Sequence, residues 1–159
     1  FLPYGDGYRR TADYLRQALS KVGIEITIRS QDFATYIRRV YTERDFDFTN
    51  NSMGNTFDPT VGVQRLYWSK NFKKGVPFSN GSGINNPEID ALLEAATVEI
   101  DPAKRKQQFA RFQQIVAEEV PSITLQTLAN LTIYNRKVKD HTVGADGLNG
   151  NLADVWIDQ

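Results

Sequence analysis

The sequence predicts an α/β domain whose mostly parallel or mixed sheet is flanked by helices, and three observations predict it. Helical and strand periodicities alternate along the first fifty residues. Residues that cap helices stand where the helical patterns begin. The 159 residues are 40% hydrophobic and 24% charged, an ordinary globular balance and enough chain for one domain, residues 1–159, with its own core.

Residues 7–22 place Tyr8, Ala12, Leu15, Leu19 and Val22 on one helical face, and Gly23 stands where a C-terminal cap belongs. Ile24, Ile26 and Ile28 then alternate with Glu25 and Thr27, as a strand does. Asp32 is placed to cap a second helix with the stripe Phe33, Tyr36, Ile37, Val40 and Tyr41, and residues 45–49 alternate again. Helices between strands need crossover connections, hence a largely parallel sheet. Asp58-Pro59 opens a short helix over 59–68, and a long loop with Gly75, Pro77, Gly81 and Gly83 follows over 69–86. Asn86-Pro87 and Asp101-Pro102 open two more helices. The first buries Ile89, Leu92, Leu93 and Ala96; the second buries Phe109, Phe112, Val116 and Val120 and stops at Pro121. Residues 122–128, 131–134 and 154–157 read as extended. The opening Phe1-Leu2-Pro3-Tyr4-Gly5 reads as a strand end turning at Pro3 and Gly5, so a piece cut from a longer protein is expected.

Composition narrows the function. Nineteen Lys+Arg balance nineteen Asp+Glu, which argues against a nucleic-acid partner. There is no cysteine, hence no disulfide, thiolate metal site or cysteine nucleophile. His141 is the only histidine and sits in a polar segment, so a catalytic triad or a multi-histidine metal site would rest on one residue. No metal or cofactor is expected. Gly81-Ser82-Gly83 lacks the third glycine of a dinucleotide fingerprint and reads as a turn. Asp45 and Asp47 share one strand face, and Arg38, Arg39 and Arg44 offer them structural partners. A carboxylate enzyme site at Asp45, Asp47 and Asp58 is a competing reading that needs a converging acid or metal. Tyr67, Trp68, Phe72 and Phe78 bracket the long loop, as core residues or as the lining of a small-molecule cleft.

In open sheets with crossovers, ligands sit beyond the carboxyl ends of strands. The stretch after Phe48, from Asn50 to Pro59, is therefore the first place to seek a site. It is polar and short-chained, with Met53 and Phe57 as apolar contacts. Asn51, Ser52, Met53, Asn55, Phe57 and Asp58 are its candidate ligand-binding residues.

The order of motifs resembles a known family. The run from Ala12 to Ile26, with Leu15, Leu19, Lys21, Gly23 and Ile24, is similar to a signature of the peptide-type solute-binding proteins of ABC importers (extracellular solute-binding protein family 5). Phe33 to Tyr36, Asp45 to Phe48, Asp58-Pro59, Asn86 to Leu93 and Asp101 to Ile123 resemble further family elements in the same order, so the resemblance covers nearly the whole chain. It implies a periplasmic-binding-protein-like fold and the C-terminal lobe of a two-lobe clamp. Such a clamp encloses a peptide or similar solute and hands it to a membrane permease, at the periplasmic or extracellular face of a bacterial cytoplasmic membrane. It implies binding rather than catalysis; a ligand-sensing domain on the same fold is the alternative. The family's peptide binders place an aspartate shortly before the Asp-Pro element, where it pairs with the peptide's α-ammonium. Asn55 stands at that place here, and Ser52 where a tryptophan is usual. An amide does not neutralise an ammonium as a carboxylate does. The resemblance so read implies a neutral or anionic ligand, or an oligopeptide held mainly through its backbone.

Overall fold

The computed structural model describes residues 3, 5–54, 58–62, 64–127, 132–141, 150 and 152–158. Helix α1 spans Gly5–Ser20. It closes in a Schellman motif: the Ile24 N–H reaches back to the Leu19 carbonyl, the Gly23 N–H bonds the Ser20 carbonyl, and Gly23 takes φ +83°, which an L side chain rarely adopts. Of the stripe read from the sequence, Tyr8, Ala12, Leu15 and Leu19 are half-buried and Val22 is 71% exposed, and no α1 residue is fully covered.

Helix α2, Phe33–Ile37, starts as expected. The Asp32 carboxylate accepts from the Thr35 N–H at 2.9 Å and from its hydroxyl at 2.7 Å. It continues as a π-helical segment over Arg38–Glu43, ended by Arg44 in the left-handed region. The wider turn brings Tyr36 and Tyr41, five residues apart, to the same side. Their rings meet edge-on at 6.2 Å. With Val40 they are the buried centre of an aromatic cluster that Tyr8, Ile37, Phe46 and Phe78 complete.

A second cluster forms where α5 (Pro87–Val98) packs on α6 (Pro102–Glu119). Asn86 and Asp101 cap these helices through side-chain oxygens, and proline at the first turn forgoes an N–H that would lack a partner anyway. Ile84, Ile89, Leu93, Phe112 and Ile115 are its buried members, and Tyr67, Trp68, Leu92, Phe109 and Val116 pack around them. Val120, expected in the buried stripe, is exposed: the helix ends at Glu119 and Val120 turns left-handed (φ 48°), off the helical face. Ile115 is buried instead.

Between the clusters lie α3 (Pro59–Gly62), α4 (Gln64–Tyr67) and the segment 69–86. This segment was expected as a loop, yet it folds around a side chain. Asn80 is 0% exposed. Its Nδ2 donates to the carbonyls of Trp68 (3.3 Å) and Ile84 (2.8 Å), and its Oδ1 accepts from the Gly83 N–H (2.9 Å) and the Ser82 hydroxyl (3.2 Å). Arg44 stacks 4.1 Å from the Phe72 ring and donates to the carbonyls of Asn80 and Gly81. Gly83 has φ +74°, and a Cβ there would stand 3.1 Å from the Phe72 ring, so the turn takes no side chain without strain.

The sheet is where sequence and structure part. Among the described residues the one ladder is antiparallel: β1 (Val138–Lys139) pairs with β2 (Trp156–Ile157). Residues 24–28, 45–49 and 122–127 form no ladder, and the predicted parallel or mixed sheet is absent among these residues. Alternation declares which side chains share a face, but a strand also needs a neighbour for its N–H and C=O groups. Segments 24–29 and 45–49 do lie together, joined by the Arg29 guanidinium on the Asp45 carboxylate (2.6 Å) and carbonyl (2.9 Å). Phe46 faces the aromatic cluster while Phe48 is 74% exposed. No helix of the described residues is long and apolar enough to cross a membrane.

Candidate functional site

The segment after Phe48 is anchored at both ends. At its start, Thr49 and Asn51 meet the Tyr36 hydroxyl at 3.3 and 3.4 Å. Asn50 Nδ2 donates to the Tyr8 carbonyl at 3.1 Å, and Ser52 Oγ shares a hydrogen bond with the Tyr8 hydroxyl. At its far end, Arg65 of α4 donates to the Gly54 carbonyl at 3.1 Å. Asn51 and Met53 are half-buried, whereas Ser52 and Gly54 are exposed. Asn55 and Phe57 lie outside the described residues.

Asp58 serves the fold. Its Oδ1 accepts from the Thr60 N–H at 2.8 Å and the Thr60 hydroxyl at 2.7 Å, which starts α3, and from Arg105 Nη2 at 2.6 Å. Arg105 also donates from Nε to the Ala96 carbonyl at 2.9 Å, so one guanidinium joins α3, the end of α5 and α6. Arg105, then Thr60, pull the Asp58 carboxyl down to about 2. A carboxyl depressed in the folded state contributes stability above its unfolded pKa, and this contribution is lost as pH falls through the folded value. Asp58→Asn is thus expected to flatten the loss of thermal stability between the ordinary carboxylate range and about pH 2. A melting series that drops as steeply in the variant as in the parent would refute this assignment.

The competing carboxylate site does not assemble. Arg29, by hydrogen bond and charge, and Arg39, by charge, hold the Asp45 carboxyl below its usual range. Asp58 is occupied by Arg105 and Thr60. Among the described residues no three His, Cys, Asp or Glu side chains converge on a metal position.

Of the predicted site residues, the structure brings Asn51 and Ser52 onto the aromatic cluster and ties Asp58 to the helical one. Sequence reasoning missed the anchors Tyr8, Tyr36 and Arg65. Tyr8 and Tyr36 carried a helical-stripe signal as core residues, and nothing in the sequence marked their hydroxyls as supports. Arg65 carried no signal.

No protein-family model matches the chain. Over 93 residues, 58% of this chain, it is 33% identical to YejA of Agrobacterium fabrum, a protein named for peptide binding, and it spans 15% of that protein. Its fold matches the crystal structure of AppA from Clostridium difficile, also named for peptide binding. The TM-score is 0.79 at 19% identity, over 99% of this chain and 32% of that one. A sequence likeness to one protein named for peptide binding and a fold likeness to another bear out the resemblance read from the motifs. The chain spans well under two thirds of either relative.

Proposed function

We propose that the chain is a non-catalytic lobe of an ABC importer's substrate-binding protein. It supplies one wall of an interlobe cleft that takes a peptide or similar small solute for delivery to permease subunits. The supporting observation is that one chain is similar in sequence to a protein named for peptide binding and in fold to another. The wall is the segment 51–58. On this reading the protein works at the periplasmic or extracellular face of a bacterial membrane. Segments 24–28 and 45–49 then join a largely parallel or mixed sheet whose other strands lie elsewhere in the protein. Such an arrangement would use the alternation that the present pairing leaves idle.

A thermal-shift series on the protein at its full natural length tests this. A ligand that binds only the native state stabilises by about 2.7 kcal/mol at a hundred times its Kd. That corresponds to a rise in Tm of several degrees. Di-, tri- and pentapeptides should raise Tm in a concentration-dependent way, and monosaccharides should not. A flat response to every peptide length sinks the reading.

A further inference from the structure

Charge around the candidate segment is unbalanced. No residue from Thr49 to Phe57 has an ionisable side chain. Asp58, which follows, is neutralised by Arg105 at 2.6 Å. Among the described residues, Arg65 is bonded to the segment through Nη2 on the Gly54 carbonyl, at the surface. The ion pairs among the described residues include none at Arg65. Its Nε is shielded from solvent and has no hydrogen-bond partner among these residues. A guanidinium is charged at every physiological pH, and its fork of donors matches a carboxylate. Bonding one arm to a carbonyl fixes the position of that fork without neutralising it.

We propose that Arg65 is a specificity-determining residue that receives a carboxylate of the bound solute. This rests on the binding-protein reading above and adds a charge preference to it. A ligand carboxylate facing the segment gains a charge-assisted partner, whereas an ammonium there meets a like charge. The carboxylate comes either from a peptide C-terminus or from an acidic side chain, and the two sources are separable.

The test is titration calorimetry on the full-length protein with three probes: trialanine, trialanine amide, and the amide of a tripeptide with a central glutamate. The parent is expected to bind a carboxylate-bearing probe roughly ten- to hundredfold more tightly than trialanine amide. Preference for trialanine assigns the C-terminus, and preference for the glutamyl amide assigns the side chain. Arg65→Gln should erase that ratio, and Arg65→Lys should restore part of it. The ratio between probes is measured within each variant, so a loosened segment, which lowers all affinities together, leaves it unchanged. Equal binding of all three probes by the parent, or a ratio that survives in Arg65→Gln, overturns this inference alone. A parent that binds none of them overturns the peptide reading and the inference with it.

Discussion

Replacing Leu93 with alanine is expected to lower the unfolding free energy by about 2–5 kcal/mol. Leu93 is 0% exposed and sits with Ile89, Phe112 and Ile115 at the centre of the α5–α6 cluster. The cost combines the lost transfer energy of the removed carbons with the cavity left behind. Collapse into that cavity is limited, because α5 is held from several sides. Glu88 bonds Arg111 at 2.7 and 3.2 Å, and Asp90 accepts from the Ser69 N–H at 2.8 Å. Val98, 78% exposed on the same helix, is the control. Its alanine variant should stay within about 0.5 kcal/mol of the parent. Urea unfolding followed by the fluorescence of Trp68, which packs against the cluster, measures both. Equal midpoints for the two variants would remove Leu93 from the core.

The second large effect is expected at Asn80. Asn80→Ala should cost roughly 3–5 kcal/mol, since each buried polar group left without a partner costs about 1–3 kcal/mol. The groups stranded are the Ile84 carbonyl, the Gly83 N–H and, more weakly, the Trp68 carbonyl. Asn80→Asp separates the two halves of the amide. It keeps the acceptor for Gly83 and Ser82 but loses both donors and buries a charge, so it should be no better tolerated than alanine. The checks are the denaturation midpoint and amide exchange at Gly83 and Ile84, which should speed up strongly. Protected amides there in Asn80→Ala would mean that the turn holds itself.

What could be read from the sequence follows from how local the chemistry is. Asp32, Asn86 and Asp101 announced helix starts because a cap bonds its own N–H groups two or three residues on. Gly23 announced a helix end for the same reason. The buried faces of α5 and α6 were legible from their period, apart from Val120, where one left-handed residue broke the pattern. The sheet was not legible in full, since alternation at Ile24 to Ile28 says nothing about where a pairing strand would come from. The π-helical segment left no trace either, and its aromatic spacing passed for an α-helical stripe. At the site, the place after a predicted strand and the polar, short-chained composition pointed to 50–59. Its supports Tyr8, Tyr36, Arg65 and Arg105 are set by tertiary contact, which no spacing rule reaches.

The segment after Phe48 leans on the aromatic cluster through Tyr8 and Tyr36 and on the α4–α6 side through Arg65 and Arg105. It thus runs along both clusters, which Arg44 also joins through the carbonyls of Asn80 and Gly81. Local opening of either cluster would loosen one end of the segment. On the proposed reading, a solute held along it would oppose both openings at once, because a ligand of the native state stabilises against every opening that releases it.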